Sequence, residues 1–201
     1  MYLETASLDQ KSMYKILIGS VLPRPIAWAG TRSLAGKDNL APFSFYNAFS
    51  ANPPIVGFSP IPRLDGSRKD TLQNVMETGC FTLNVVSYDL VRKMSMSSAL
   101  LEPGDSEFDY AELTPVQAES INAPYVAESP IVFECVLQQM ISFGDQPGAG
   151  NLILGKITHV RIADELYLEN GRIDFGALDP VARLGGNFYS TLRDRFELER
   201  G

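Results

Sequence analysis

The period of the apolar positions changes several times along the chain, and each change marks a predicted element. Over 11–19 (KSMYKILIG), Met13, Ile16 and Leu17 recur at i, i+3, i+4, the spacing of one helical face. Gly19 and Pro23-Arg24-Pro25 stop that helix, since proline neither donates nor follows a helical residue without strain. Ile26–Thr31 reads as a strand turning at Ala35-Gly36-Lys37-Asp38. Phe43–Ser50 is an aromatic-rich strand, broken at Asn52-Pro53-Pro54 before a neighbouring strand over Ile55–Ser59. A loop, Pro60–Lys69, leads to a second helix. Asp70 stands at its cap with Gln73 three residues on, Leu72, Val75 and Met76 form its apolar face, and Gly79 closes it.

Phe81–Val86 is the next predicted strand, followed by a helix over Tyr88–Ala99 with Leu90, Val91 and Met94 inward. Residues 101–129 scatter acids from Glu102 to Glu128 among prolines and read as an excursion over the surface. Ile131–Phe143 and Leu152–Ile162 are long β-rich runs joined by the turn Gly144–Gly150, a hairpin pattern. Many strands with a few helices predict the α+β class, mainly β: a β-barrel with covering helices. No repeat and no Gly/Ser linker interrupts the chain, so residues 1–201 are expected to form one domain.

Composition narrows the chemistry. Of 201 residues, 45% are apolar and 20% charged, which excludes the disordered and low-complexity classes. Seventeen basic residues against 24 acidic leave a formal charge of -7, and counterion release needs a basic face, so nucleic acid is not an expected partner. The single histidine, His159, rules out zinc sites built on two or three histidines and any Ser-His-Asp triad that does not pass through it. Cys80 and Cys135 form no C-x-x-C, the N-terminus carries Glu4 and Asp9 where a signal peptide would be basic and then apolar, and no stretch has the length of a membrane span. A cytoplasmic protein with no membrane partner is expected.

Several candidate motifs have plain structural explanations. The acids of 102–119 read as a solvated loop rather than a glycosidase pair. Gly150–Lys156 imitates a Walker lysine loop, but Ile157 stands where a metal-binding hydroxyl is needed. His159 alternates with Val160 as a half-exposed strand residue, and the two cysteines lie in apolar strands as buried thiols. Two segments keep a choice open. Ser67-Arg68-Lys69-Asp70-Thr71 gathers hydroxyls and cations at a helix start, which is either an anion seat or a capped surface helix with solvated cations. Ser44-Phe45-Tyr46-Asn47 is either a ring-binding wall or a strand with one polar face.

Taken together, these segments resemble the flavin reductase-like proteins, and most of all their flavoredoxin and flavoprotein-oxygenase branch. The resemblance runs through Arg24-Pro25-Ile26-Ala27-Trp28, Thr31-Arg32-Ser33, Asn39–Asn47, Asn52-Pro53-Pro54, Arg68-Lys69-Asp70-Thr71 and Phe81–Val85, and returns at Arg183–Tyr189. It implies a split β-barrel that forms a homodimer and holds FMN near the subunit interface. By the same resemblance Arg68, Lys69 and Thr71, with Asp70 between them, take the phosphate. Thr31 and Ser44, Phe45, Tyr46 and Asn47 face the ribityl chain and isoalloxazine, Ser50 and Ala51 lie near the ring edge, and Arg183 is at the rim. The implied activity is flavin reduction with NAD(P)H as donor, and the implied partner is a redox protein, an oxygenase or a reductase. An electron-carrying flavoprotein without NAD(P)H turnover is the alternative, and a barrel for a non-flavin ligand is a third. Several flavin reductases carry a histidine in the C-terminal segment, where this chain has Gly186-Asn187-Phe188-Tyr189.

Overall fold

The computed structural model describes residues 1–62, 67–101 and 105–199. Its centre is one antiparallel sheet of seven strands. β1 (Ala27–Arg32) and β2 (Asp38–Phe43) form a hairpin whose turn places Gly36 at φ 82, a conformation open to glycine. β3 (Tyr46–Ala51) and β4 (Pro54–Phe58) form a second hairpin, around Asn52-Pro53. β5 (Cys80–Asn84) follows helix α2 (Asp70–Thr78). β6 (Pro115–Gln117) and β7 (Pro124–Val126) pair with each other outside the main sheet. The long hairpin of β8 (Ile131–Ser142) and β9 (Asn151–Ile162) completes the sheet.

The order across the sheet is β2-β1-β5-β8-β9-β4-β3. Its outermost strands, β2 and β3, are separated in sequence by Ser44 and Phe45 alone. Two residues reach no more than about 10 Å from the end of one strand to the start of the next. The sheet must therefore curl until its edges meet, and since β2 and β3 do not pair, the barrel is split along that seam. This is the expected split β-barrel, with one correction. The predicted strand Phe43–Ser50 is two strands on opposite edges, because the aromatic alternation continues through the link that joins them.

Inward residues alternate along each strand, as a two-residue period requires. Ala27 and Ala29 of β1, Phe43 of β2, Phe58 of β4, Phe81 of β5, Cys135 of β8 and Ile153 of β9 fill the barrel, and Leu72 and Val75 of α2 close it. Phe58 lies 5.2 Å from Phe43 and 5.4 Å, nearly edge-on, from Phe81. Gly155 makes room for Phe81, since a Cβ there would stand 2.3 Å from the Phe81 ring. A second core covers the outer face of β1 and β2. Trp28, Leu40, Met94, Phe108, Leu113 and Val126 are among its members, and the Trp28 indole N–H donates to Ser97 Oγ at 2.9 Å.

That second core corrects the reading of residues 101–129. Among the described part, Phe108, Ala111, Leu113, Ala118, Ala123 and Val126 are buried. Their apolar positions have no regular period, so the surrounding acids concealed them. The helix predicted over Tyr88–Ala99 forms as a 3-10 turn, Tyr88–Leu90, continued by α3 (Val91–Met96). α1 (Gln10–Ser20) forms with Asp9 as its cap, Ser12 N–H donating to Oδ1 at 2.6 Å, yet none of its residues is buried. Short helices α4 (Glu107–Tyr110) and α5 (Phe175–Leu178) precede the hairpin of β10 (Val181–Arg183) and β11 (Tyr189–Thr191).

Tyr46, opposite Phe58, turns its ring into the barrel. Burial, with the Cys135 thiol nearby, pushes its hydroxyl from 10.0 up to about 12. The folded state thus favours the neutral phenol. That contribution is intact below about pH 10 and is lost as pH rises through about 12. In an absorbance titration, one of the eight tyrosines is expected to stay un-ionised to about pH 12 and to disappear from the curve of Tyr46→Phe. Uniform ionisation of all tyrosines near pH 10 in the folded protein would contradict this placement.

Candidate functional site

The start of α2 carries the charged motif. The helix is closed at Gly79, whose φ of 70 is left-handed and whose N–H donates to the Val75 carbonyl at 3.0 Å. Its N-cap is Lys69, in extended conformation, whose own side chain makes no capping bond. Asp70 is the first helical residue, so the predicted capping box does not form. Gln73 instead donates to Glu77 Oε1 at 2.5 Å. Met76 also departs from its predicted inward position, at 38% exposure.

Asn74 takes the inward place, because α2 is anchored by polar groups on this side. Asn39 Nδ2 donates to Thr71 Oγ1 at 2.9 Å and to Thr31 Oγ1 at 3.0 Å, and Asn74 Nδ2 donates to Thr31 Oγ1 at 3.0 Å. All four residues are buried, and no buried side-chain N or O among the described residues lacks a partner. Thr31, expected against a ribityl chain, therefore sits beneath the helix with its hydroxyl accepting two amide bonds. It is fully buried and holds the start of α2 from beneath. Asn39 and Asn74 were not predicted. Their signals in the sequence are an amide at an inward position of β2, in step with Ala41 and Phe43, and a second amide one turn after Thr71.

Of the other expected groups, Lys69, Ser44 and Arg183 lie around Phe43, whereas Arg68 lines a separate cleft. Lys69 is half-buried, with its ammonium 6.0 Å from the Phe43 ring centroid. Arg68 is exposed and, with Pro62, Met76, Met140, Ser142 and Asn151, lines a cleft of about 440 Å³. Ser44, next after Phe43, is half-buried, and Phe45 packs its ring 6.3 Å from that of Tyr14. Asn47 is exposed, its Oδ1 accepting from the Ala48 N–H at 2.9 Å, and Ser50 and Ala51 are exposed at the end of β3. The stretch is therefore a wall with Ser44 and Asn47 accessible and Tyr46 turned away. The bulge between Ala48 and Ser50 pushes Phe49 outward at 57% exposure, and its ring lies over Gly57.

Arg183 reaches this wall from the C-terminal segment. Backbone bonds of 3.0 and 2.8 Å join it to Arg24, and its guanidinium stacks 4.5 Å from the Tyr189 ring centroid. Arg183, Phe43 and Ser44 line one cleft. Asn187 is exposed.

The remaining reactive side chains lie elsewhere. His159, exposed on β9, is paired in register with Glu134 of β8. The Glu134 carboxylate pays for its burial with bonds from the Ser120 hydroxyl at 2.5 Å and the Ser120 and Glu119 N–H groups at 2.8 and 3.0 Å. Burial pushes the Cys135 thiol far up, which makes it a core group rather than a nucleophile. Both cysteines are buried and free. Among the described residues, no cluster of metal-ligating side chains occurs and no helix is long and apolar enough to cross a membrane. The cations near the start of α2 suit binding and orienting an anionic ligand.

The family model described as flavin reductase like domain matches residues 18–177. An uncharacterised protein of Halalkalibacterium halodurans is 44% identical, over 100% of this chain and 96% of that protein. The crystal structure of nitrilotriacetate monooxygenase component B from Bacillus cereus is similar at a TM-score of 0.93 and 36% identity, covering 98% of each chain. That of the Pseudomonas fluorescens 2-nitrobenzoate 2-nitroreductase is similar at a TM-score of 0.89 and 27% identity, covering 100% of this chain and 96% of the other.

Replacing Asn39 with Ala is expected to cost about 1–3 kcal/mol, since Thr31 and Thr71 each lose a buried donor. A denaturant midpoint equal to that of the unmodified protein would contradict the anchoring role.

Proposed function

We propose that this chain, which belongs to the flavin reductase-like domain family, binds FMN as a homodimer and reduces flavin by hydride transfer from NAD(P)H. Membership makes it a flavin-related oxidoreductase with a flavin cofactor. The choice of FMN, the donor, the dimer and the cytoplasmic setting are our reading. The observation that carries it is the start of α2, where Arg68 and Lys69 stand at a helix N-terminus anchored by the buried Thr31–Asn39–Thr71–Asn74 network. Two cations and the positive end of a helix dipole are the donor set that a phosphate dianion requires.

In this reading Arg68 and Lys69 hold the phosphate, and Thr71 is fixed beside it by Asn39. Ser44 and Asn47 present polar groups to the ring and ribityl chain, with Phe45, Ser50 and Ala51 flanking and Arg183 at the rim. Asp70 opens the helix, Tyr46 shapes the wall from within, and Thr31 keeps α2 on the barrel. Flavin, once bound, supplies the redox chemistry, so the protein needs only to bind, orient and tune it. The exposed edge strand β3, with Phe49 projecting from its bulge, supports a homodimer, because unpaired strand edges invite a partner. A component B among the similar structures supports an oxygenase as the redox partner. The two free thiols fit a reducing cytoplasm.

The carrier reading is favoured by one observation. Near Gly186 the polar side chains are Asn187, in solvent, and Tyr189, covered by the Arg183 guanidinium, with no histidine. An anaerobic spectrum of FMN-loaded, desalted protein separates the two readings. Bleaching of the flavin band by NADH or NADPH is the expected result, and a retained band that neither nucleotide bleaches would replace the reductase with the carrier. The double variant Arg68→Ala/Lys69→Ala is expected to bind FMN about a hundredfold more weakly, for the loss of two charge-assisted contacts. FMN affinity unchanged in the double variant would overturn the phosphate assignment.

A further inference from the structure

Behind the seam of the barrel, one guanidinium outside the residues assigned to the flavin wall joins three parts of the chain. Arg24 is 5% exposed. Its Nη1 donates to the Ile18 and Val21 carbonyls at 2.9 and 2.8 Å, at the C-terminal end of α1. Its Nη2 donates to the Leu184 carbonyl at 3.0 Å, in the turn between β10 and β11. The fourth bond runs from Nε to Ser44 Oγ at 3.4 Å, in the two-residue link between β2 and β3.

A guanidinium is a planar fork, so its donors cannot be aimed one at a time. Three carbonyls from two separate segments fix the plane of Arg24, and the direction of its Nε–H follows from that plane. A serine hydroxyl has two acceptor positions and one proton. With the Arg24 Nε–H at an acceptor position, the Ser44 proton points elsewhere, and it meets no acceptor among the described residues. Ser44 is half-buried and faces the cleft that it lines with Phe43 and Arg183. Every acceptor of Arg24 is neutral, so the group behind Ser44 is a cation with no carboxylate bonded to it. Hydrogen bonds polarise one another along a chain, and a hydroxyl that accepts from a cation is the stronger donor for it.

We propose that Arg24 is a positioning residue: it commits the Ser44 proton to the bound flavin and so favours the reduced ring over the oxidised one. This role rests on the flavin reading of Ser44 and names how that site is tuned. A hydride carries two electrons and one proton, so a ring that accepts one gains a unit of negative charge. A donor already fixed in place holds the more negative ring more strongly, and nothing has to reorient when the charge arrives.

The reduction potential of FMN bound to the full chain, titrated with dithionite against a reference dye, tests this role. Ser44→Ala is expected to weaken the preference for reduced over oxidised FMN about tenfold, which lowers the potential of a two-electron couple by about 30 mV. Ser44→Thr, which keeps a hydroxyl, is expected to restore it. Arg24→Lys keeps the charge and loses the fork, and is expected to shift the potential in the same direction as Ser44→Ala. Combined with Ser44→Ala it is expected to add nothing, because Arg24 acts through that hydroxyl. An unchanged potential in Ser44→Ala would overturn the role, and this variant decides the matter even where Arg24→Lys does not fold. Additive shifts in the double variant would overturn it too. FMN bound by the unmodified protein at a potential indifferent to Ser44→Ala counts against the positioning role alone. No binding of FMN by the unmodified protein would overturn the flavin reading and this role with it.

Discussion

Two residues carry the chain from one edge of a seven-stranded sheet to the other, and most of the molecule follows from that short reach. Ser44 and Phe45 leave β2 no freedom to lie far from β3, so the sheet closes on itself, and its interior must be filled by the rings of Phe43, Phe58 and Phe81. The seam is where backbone pairing stops and polar side chains become accessible. Ser44 and Arg183, from the far end of the sequence, line one cleft with Phe43, and the Lys69 ammonium stands 6.0 Å from the same Phe43 ring. The same geometric necessity that closes the barrel therefore assembles the candidate site.

A helix start rich in cations also has to be held still. The Thr31–Asn39–Thr71–Asn74 network does this inside the protein, in a setting where satisfied polar groups rigidify and unsatisfied ones are expensive. Four small polar side chains are committed to one another, so the helix start that follows Arg68 and Lys69 is anchored on the barrel. Nearby, the bonds of Arg24 fix the backbone of α1 and of the Leu184 region.

Local pattern and residue type made much of this legible in advance. The helical repeat of 11–19, the Gly79 stop, the β8–β9 hairpin and the buried cysteines all form as their spacing suggests. The charged run Ser67–Thr71 lies at a helix start, as its composition indicates. Long-range facts were hidden. Nothing in the alternation of Phe43–Ser50 distinguishes one strand from two strands on opposite edges, because the side-chain period continues through the link. Phe108, Leu113 and Val126 lack a period of their own and lie among acids, so their burial appears only once β1 and β2 offer a face to cover. Asn39 and Asn74, 35 residues apart, become partners of the same Thr31 hydroxyl only when α2 docks on the barrel.

The central claim is that a phosphate monoester is the group recognised at the start of α2. The most direct measurement is the ratio of the dissociation constants of riboflavin and FMN, which differ only in that phosphate. A phosphate held by two cations and a helix N-terminus predicts that FMN binds about a hundredfold or more tightly than riboflavin, with the ratio falling as salt is raised. Equal binding of the two flavins at low salt would show that the seat at Arg68, Lys69 and Thr71 holds no phosphate, and would contradict the account.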